Sequence, residues 1–345
     1  MTTRARACYP PPMRCIPVTK ANGPLEVVER ETPKPGPGQI GITIEACGIC
    51  HSDVFVTSAG FPGIQLPRVP GHEIAGRVDA VGDGVTAWKK GDRVGVGWHG
   101  GHCFDCDACR AGDCLNCVEA KITGISHDGG WADYVVVPYE SAARIPEDLP
   151  PEDAGPLLCA GVTTYNALRN SGARPGDTVA VMGVGGLGHL GLQYANEMGF
   201  RTVALSRGAD KEKLAKELGA HVYIDTSAQN PAEALQSIGG ADVILATAPN
   251  AKAISATFDG LKGRGKLVVV GATPDPLEIP AFNLLSGKQI AGWPSGSALD
   301  SEATMKFSAL TGVRAHIEKF PLEKAGEALQ KCLENKVRFR AVLVP

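Results

Sequence analysis

Three groups of residues in this chain have the types and spacing that chemistry needs. Cys103, Cys106, Cys109 and Cys117 stand two, two and seven residues apart. Loops that short let successive thiolates converge on one tetrahedral ion, and a closed four-cysteine set is the signature of structural zinc. Cys114 is a fifth thiol in the same loop, and by spacing alone it could replace Cys117. A disulfide ladder is the alternative, but the N-terminus has no apolar stretch that reads as a secretory signal, so zinc in reducing surroundings is favoured. The second group is dispersed: Cys50 in Cys47-Gly-Ile-Cys-His-Ser-Asp53, His72 in Val69-Pro-Gly-His-Glu73, and Cys159 in Pro156-Leu-Leu-Cys-Ala-Gly-Val-Thr163. Three ligands leave one position of a tetrahedral ion open, which separates a catalytic zinc from a closed one. Each member alone has a plainer reading: a CxxC with no thioredoxin-like βαβ around it, a satisfied core or surface histidine, a small buried hydrophobe. The third group is Gly183-Val-Gly-Gly-Leu-Gly188, placed after a β-branched run and before a helical pattern. In that setting Gly183 permits a sharp turn, Gly185 lets backbone approach a pyrophosphate, and Gly188 lets helix lie close on strand, with the helix N-terminus facing the phosphates.

The elements that must position these groups are legible as an α/β pattern. Thr178–Met182, Arg201–Leu205, Val222–Ile224, Ala241–Ala246 and Gly265–Val270 read as short apolar strands, with helices between them such as Lys211–Leu218; together they make a doubly wound sheet. Upstream, Leu25–Arg30 and Gln39–Ala46 alternate apolar and polar residues around the turn Pro33–Gly38, as strand, turn and strand with partly solvated faces, and Ala75–Gly82 and Gly91–Val96 read as further strands. Near the end come an amphipathic segment, Leu322–Leu333, and a closing strand, Arg340–Val344. A length of 345 residues allows two domains, and 43 glycines suit tight turns and close backbone approaches. A net charge of −3 gives no electrostatic footprint for nucleic acid, and no apolar run approaches a membrane span. Residues 1–12, with three prolines, two arginines and no acid, could be a tail, an added remnant or the lead-in to a later start at Met13, and they lack the apolar stretch of a signal.

The motifs around Cys50, His72, the four-cysteine lobe, Cys159 and the glycine turn occur in the order found in the zinc-containing medium-chain alcohol dehydrogenases. From about Pro17 to the C-terminus the chain resembles that family, and the bacterial and yeast-type members with the nearby cinnamyl alcohol dehydrogenases are the most similar. The resemblance implies a GroES-like barrel in residues 1–160 with the zinc lobe at 99–118, a Rossmann domain in 161–294, and a return to the catalytic domain in 295–345. It implies Cys50, His72 and Cys159 as ligands of the reacting zinc, with Glu73 behind the metal and able to enter its coordination sphere transiently. Asp53 would orient His72, as carboxylates behind metal-bound histidines do. Ser52 would take the proton of the substrate hydroxyl, and His51 would lie near the cofactor pyrophosphate. Where many relatives carry a relay histidine five residues past Cys50, this chain has Phe55, which leaves the proton path to the ribose and water or to His51. Trp98 resembles a residue that lines the substrate pocket, although a core role fits it almost as well; Phe55 and Trp293 would also shape that pocket.

For the cofactor, the turn Gly183–Gly188, including Gly186 and Leu187, would take the pyrophosphate, Thr163 would pack on the nicotinamide, and Lys211 and Arg340 would contact ribose and pyrophosphate. NAD sites place an acid about 20 residues after the glycines, whereas here Ser206 and Arg207 offer a donor and a cation, which favours NADP(H) over NAD(H). The expected enzyme is a cytoplasmic homodimer or homotetramer that carries two zinc ions per subunit. It interconverts an alcohol with its aldehyde or ketone, zinc acting as Lewis acid, in the cleft between its domains. A zinc-ribbon binding module, a polyol dehydrogenase and a zinc-free quinone reductase are the rivals. The acidic balance disfavours the first, and the cysteines disfavour the other two.

Overall fold

The computed structural model describes residues 12–271 and 273–345, and by packing they fall into two compact units. One takes in the described residues up to Ile145 together with Lys319–Lys336 and Ala341–Pro345; the other comprises Pro146–Glu318 and Val337–Arg340.

The second unit is built on six parallel strands. In spatial order they are Val222–Asp225, Arg201–Ser206, Thr178–Met182, Ala241–Ala246, Leu261–Val269 and Gln289–Gly292. Every residue of Thr178–Met182 is buried, as a strand covered on both faces requires. The core below it joins Val203, Leu205, Ile244, Ile254, Phe258 and Leu267. Strand order reverses at Thr178–Met182, the first strand in sequence, and crevices outside the carboxyl ends of such strands are where ligands bind. Gly183 follows directly. Its φ of 97° and its amide bond to Leu205 O turn the chain sharply into the helix Gly188–Glu197.

The first unit is organised round one strand, Gln39–Ile49, with three antiparallel partners: Ile74–Val81 along its length, Tyr134–Pro138 against its first half, and Arg340–Val344 against its last residues. The alternating sequence Gln39-Ile-Gly-Ile-Thr-Ile buries Ile40, Ile42 and Ile44 on one face. The sheet extends through Arg93–Val96 to Ala142–Arg144. Among the described residues no helix is long and apolar enough to cross a membrane. The GroES-like barrel and the Rossmann sheet read from the sequence are thus both present. The helix Ala298–Thr311 was not foreseen, although Ser297 and Asp300 form a capping box at its start and Gly312 ends it in the left-handed region.

Candidate active site and dinucleotide cradle

Cys50 is the residue at which the strand Gln39–Ile49 stops. Its backbone is extended, and it caps a single 3-10 turn, His51–Asp53. Asp53, 1% exposed, folds back from that turn and ties two parts of the chain together. Oδ2 accepts the Cys50 N–H at 2.8 Å, and Oδ1 accepts the Gly71 N–H at 3.2 Å. The same Oδ1 lies 3.3 Å from His72 Nδ1. One buried carboxylate therefore fixes both Cys50 and the ring of His72. His72 Nε2 is buried on the side of the ring away from Asp53. Cys50, His72 and Glu73 present donor atoms within 4.8 Å of one another.

Glycines seat the group. A Cβ on Gly48 would fall 1.8 Å from Glu73 Oε2, and one on Gly71 would fall 2.5 Å from Trp131 Cδ1, in a backbone already at φ 101°. Burial pushes the His72 imidazolium down, but Asp53 and then Cys50 more than offset this, so its pKa stands well above the ordinary histidine value. A pocket of this polarity draws a proton when nothing else neutralises it, and the same field suits a dication. Sulfur, imidazole and carboxylate are also the donors zinc prefers. Cys47 is different: it is a buried thiol whose pKa burial pushes well up, with Gly71 and Gly130 packed against its sulfur. It belongs to the core.

Around His72 lies an aromatic wall. Trp98 meets it edge-on at 4.9 Å, Phe61 meets Trp98 at 6.5 Å, and Phe55, 41% exposed, meets Phe61 at 6.0 Å. Behind Trp98 is the small core of Val18, Val56 and Ile125. Phe61 was missed in the sequence, where only its place after the turn Ser58-Ala-Gly60 could have suggested it. His51 is exposed and Ser52 half-buried on the 3-10 turn. Cys159 lies in the other unit, on the π-helical turn Leu157–Gly161, an irregularity that often marks a functional position.

The lobe cysteines come together in the same way. Sulfurs of Cys103, Cys106, Cys109 and Cys117 lie within 4.8 Å of one another, a set that leaves Cys114 out. Backbone N–H groups point at these sulfurs: Cys103 and Glu119 donate to Cys117, and Cys106 donates to Cys103, each at 3.3 Å. These contacts hold the sulfurs in a fixed arrangement facing one another. None of the described cysteines is in a disulfide.

In the parallel-sheet unit the glycines of the turn differ in the space around them. A Cβ on Gly188 would sit 1.7 Å from Gly183 O, so only glycine lets helix meet strand there. Gly185, in contrast, has nothing within 4 Å of where its Cβ would be, which leaves a backbone cradle open to a phosphate. Arg340 Nη1 approaches the Cβ position of Gly186 at 3.2 Å. Thr163 is buried on the helix Val162–Arg169. Ser206 ends the second strand, buried, with Arg207 exposed beside it and Lys211 half-buried after the next turn. Asp225 escaped notice in the sequence. It pairs with Ser206 across the sheet, and its carboxylate accepts the Gly208 N–H at 2.9 Å and both the N–H and the hydroxyl of Ser227. Those bonds hold its pKa below the usual carboxylate value, Ser227 contributing most. Tyr223 donates its hydroxyl to Gly208 O at 2.5 Å.

A GroES-like barrel holding a sulfur–imidazole group and a parallel sheet holding a glycine cradle define a zinc-binding dehydrogenase. The sequence pattern of the alcohol dehydrogenase GroES-like domain matches residues 36–147, and that of the zinc-binding dehydrogenases matches residues 186–309. The chain is 47% identical to an alcohol dehydrogenase of Penicillium expansum, over 92% of this chain and 93% of that protein. Among solved structures it is similar to a cinnamyl alcohol dehydrogenase of Sorghum bicolor, with a TM-score of 0.87 and 33% identity over 96% of this chain and 97% of that one. The CAD of Helicobacter pylori complexed with NADP(H) is also similar, with a TM-score of 0.85 and 26% identity over 96% and 98% of the two chains. The chain belongs to the zinc alcohol dehydrogenase family of the medium-chain dehydrogenases. It is an oxidoreductase that moves hydride reversibly between an alcohol and a nicotinamide dinucleotide, with zinc.

Proposed function

We propose that Cys50, His72 and Cys159 hold the reacting zinc, with Glu73 behind it, and that Cys103, Cys106, Cys109 and Cys117 hold a second, structural zinc. The observation that carries this reading is the Asp53 clamp, which fixes Cys50 and the Nδ1 side of His72 so that the donor atoms of Cys50, His72 and Glu73 converge. Bound there, zinc supplies Lewis acidity towards an alcohol oxygen, and the nicotinamide supplies the hydride acceptor. The chain's own residues do the rest. Ser52 takes the hydroxyl proton, and His51, exposed on the same turn, passes it to solvent in place of the relay histidine that Phe55 replaces. Trp98, Phe61 and Phe55 exclude water beside His72 and favour an apolar or aromatic substituent on the alcohol.

The chemistry divides between the two units: Cys50, His72, Glu73 and the aromatic wall stand in the first, while the dinucleotide contacts, Arg340 among them, stand in the second, which also carries Cys159. Thr163 backs the nicotinamide, Gly183–Gly188 and Arg340 take the pyrophosphate, and Ser206, Arg207 and Lys211 take the adenosine ribose. NADP(H) is the favoured cofactor, since Arg207 offers a cation at the second strand while Asp225 is already engaged by the loop at Gly208. The NADP(H) complex of the Helicobacter pylori relative supports this choice. Subunits pair through the sheet edge Gln289–Gly292, beside which Phe282 and Leu285 are 80% and 77% exposed, giving a homodimer or homotetramer. Thiolate ligation of two metals suits a cytoplasmic location.

The experiment is metal analysis combined with a spectrophotometric screen of alcohols and aldehydes, run with both dinucleotides. Two zinc ions per chain and NADP(H)-linked turnover are expected, with turnover abolished in Cys50→Ala while NADP(H) still binds. Full activity in Cys50→Ala would sink the assignment.

A further inference from the structure

His189 follows the last glycine of the fingerprint and has no part in the reading above. It is fully buried, and both ring nitrogens are engaged. Nδ1 donates to Gly185 O at 3.0 Å, and Nε2 accepts the His316 N–H at 3.3 Å. The ring lies on Phe339, with centroids 4.7 Å apart and planes 25° from parallel. One helical turn later Gln193 grips the same segment from both sides: Nε2 donates to Arg314 O at 3.0 Å and Oε1 accepts the Arg314 N–H at 3.2 Å. His316 O in turn accepts the N–H groups of Phe339 at 2.9 Å and of Arg340 at 3.0 Å. The guanidinium of Arg340 then returns to the glycine turn beside Gly186. The circuit is closed, from Gly185 through His189, His316 and Arg340 back to Gly186.

Resting on the reading of this turn as the pyrophosphate cradle, we propose that His189 is a positioning residue for the dinucleotide. Its imidazole sets the spacing between the N–H groups of the turn and the Arg340 guanidinium, so that both meet one diphosphate. Only a neutral ring can donate at one nitrogen and accept at the other. Burial above all, with Arg340 and His316 adding to it against the bond to Gly185, holds the His189 pKa down to about 3. The strut therefore stays in one protonation state near neutral pH.

The test is calorimetric titration with ADP-ribose, which carries the diphosphate and needs no turnover. His189→Phe keeps the ring and its stacking but removes both hydrogen bonds; His189→Asn keeps a donor near the place of Nδ1 and removes the acceptor. His189→Phe is expected to weaken ADP-ribose about three- to tenfold. In an Arg340→Gln background the same change should weaken it by less than about twofold, because coupled residues are not additive. A merely structural histidine would cost the same factor in both backgrounds. That equality, or wild-type affinity in His189→Phe, overturns the proposal. Should His189→Phe fail to fold, His189→Asn is read by the same two comparisons. Failure of the wild-type chain to bind ADP-ribose, or unchanged binding in Arg340→Gln, would instead refute the pyrophosphate reading itself.

Discussion

Two alanine substitutions three residues apart should fail in opposite ways. At Gly188 the new methyl would lie 1.7 Å from Gly183 O, with Thr247 Oγ1 at 3.0 Å, so the helix must withdraw from the strand by more than an ångström. Overpacking of that kind costs about 1–3 kcal/mol, which for a unit of this size lowers the melting midpoint by roughly 3–10 °C. At Gly185 the backbone has an ordinary φ and open space around the Cβ position. Gly185→Ala should melt within about 1 kcal/mol of the wild type, on either side, since alanine also restricts the unfolded chain. The space it fills, however, is the one proposed for the pyrophosphate. A methyl there holds a phosphate off the turn's N–H groups, and each lost charge-assisted bond costs about 1.5–3 kcal/mol, so ADP-ribose should bind at least about tenfold more weakly. Thermal melting and titration on the same preparations decide the matter. If Gly185→Ala binds ADP-ribose like the wild type, the turn is not the phosphate site; if it melts as early as Gly188→Ala, the open space is not real.

Asp53→Asn removes the charge that fixes Cys50 and His72 together. It should lower metal affinity at that group about 10–100-fold in competition with a chromophoric chelator, while the four-cysteine lobe keeps its ion. Arg207→Glu should weaken NADP(H) binding by an order of magnitude or more with little change for NAD(H), as measured by quenching of protein fluorescence. His189 has a folded-state pKa of about 3, below its ordinary value of 6.5. Its neutral form therefore stabilises the fold fully above about pH 6.5, and this contribution is lost as the pH falls towards 3, by about 1.4 kcal/mol per unit. Denaturant titrations from pH 7 to 4 should show that loss in the wild type, and a shallower decline in His189→Phe. Equal slopes would refute it.

Spacing made the four-cysteine lobe legible, because the sulfurs that converge there come from neighbours in sequence. The dispersed group was not legible in that way: His72 and Cys50 are drawn together by Asp53, whose bonds to Gly71 and Cys50 span 18 and 3 residues, and only the resemblance to a family linked them. Parallel strands such as Thr178–Met182 announced themselves because burial on both faces demands an unbroken apolar run. The helix Ala298–Thr311 hid because Leu299 and Leu310 are 76% and 85% exposed while Ser301, Thr304 and Ser308 are buried, the reverse of an amphipathic pattern. Ser308 is held inside by the hydroxyl of Tyr194 at 2.8 Å, a partner 114 residues away. Asp225 and His189 were overlooked for the same reason: what they do depends on backbone groups that no side-chain pattern encodes.

The pairing of Ala341, Val342 and Leu343 with Ile49, Gly48 and Cys47 has a consequence for biosynthesis. The strand leading into Cys50 lacks its last neighbour until the ribosome has added roughly 290 further residues, on the order of 15–60 s at ordinary elongation rates. Through that interval the Cys47–Ile49 edge is open to other nascent chains. Trimming the final five residues should yield polypeptide that associates through this exposed edge and binds metal more weakly at the proposed Cys50–His72 site, even though Cys50, His72 and Cys159 are all still encoded.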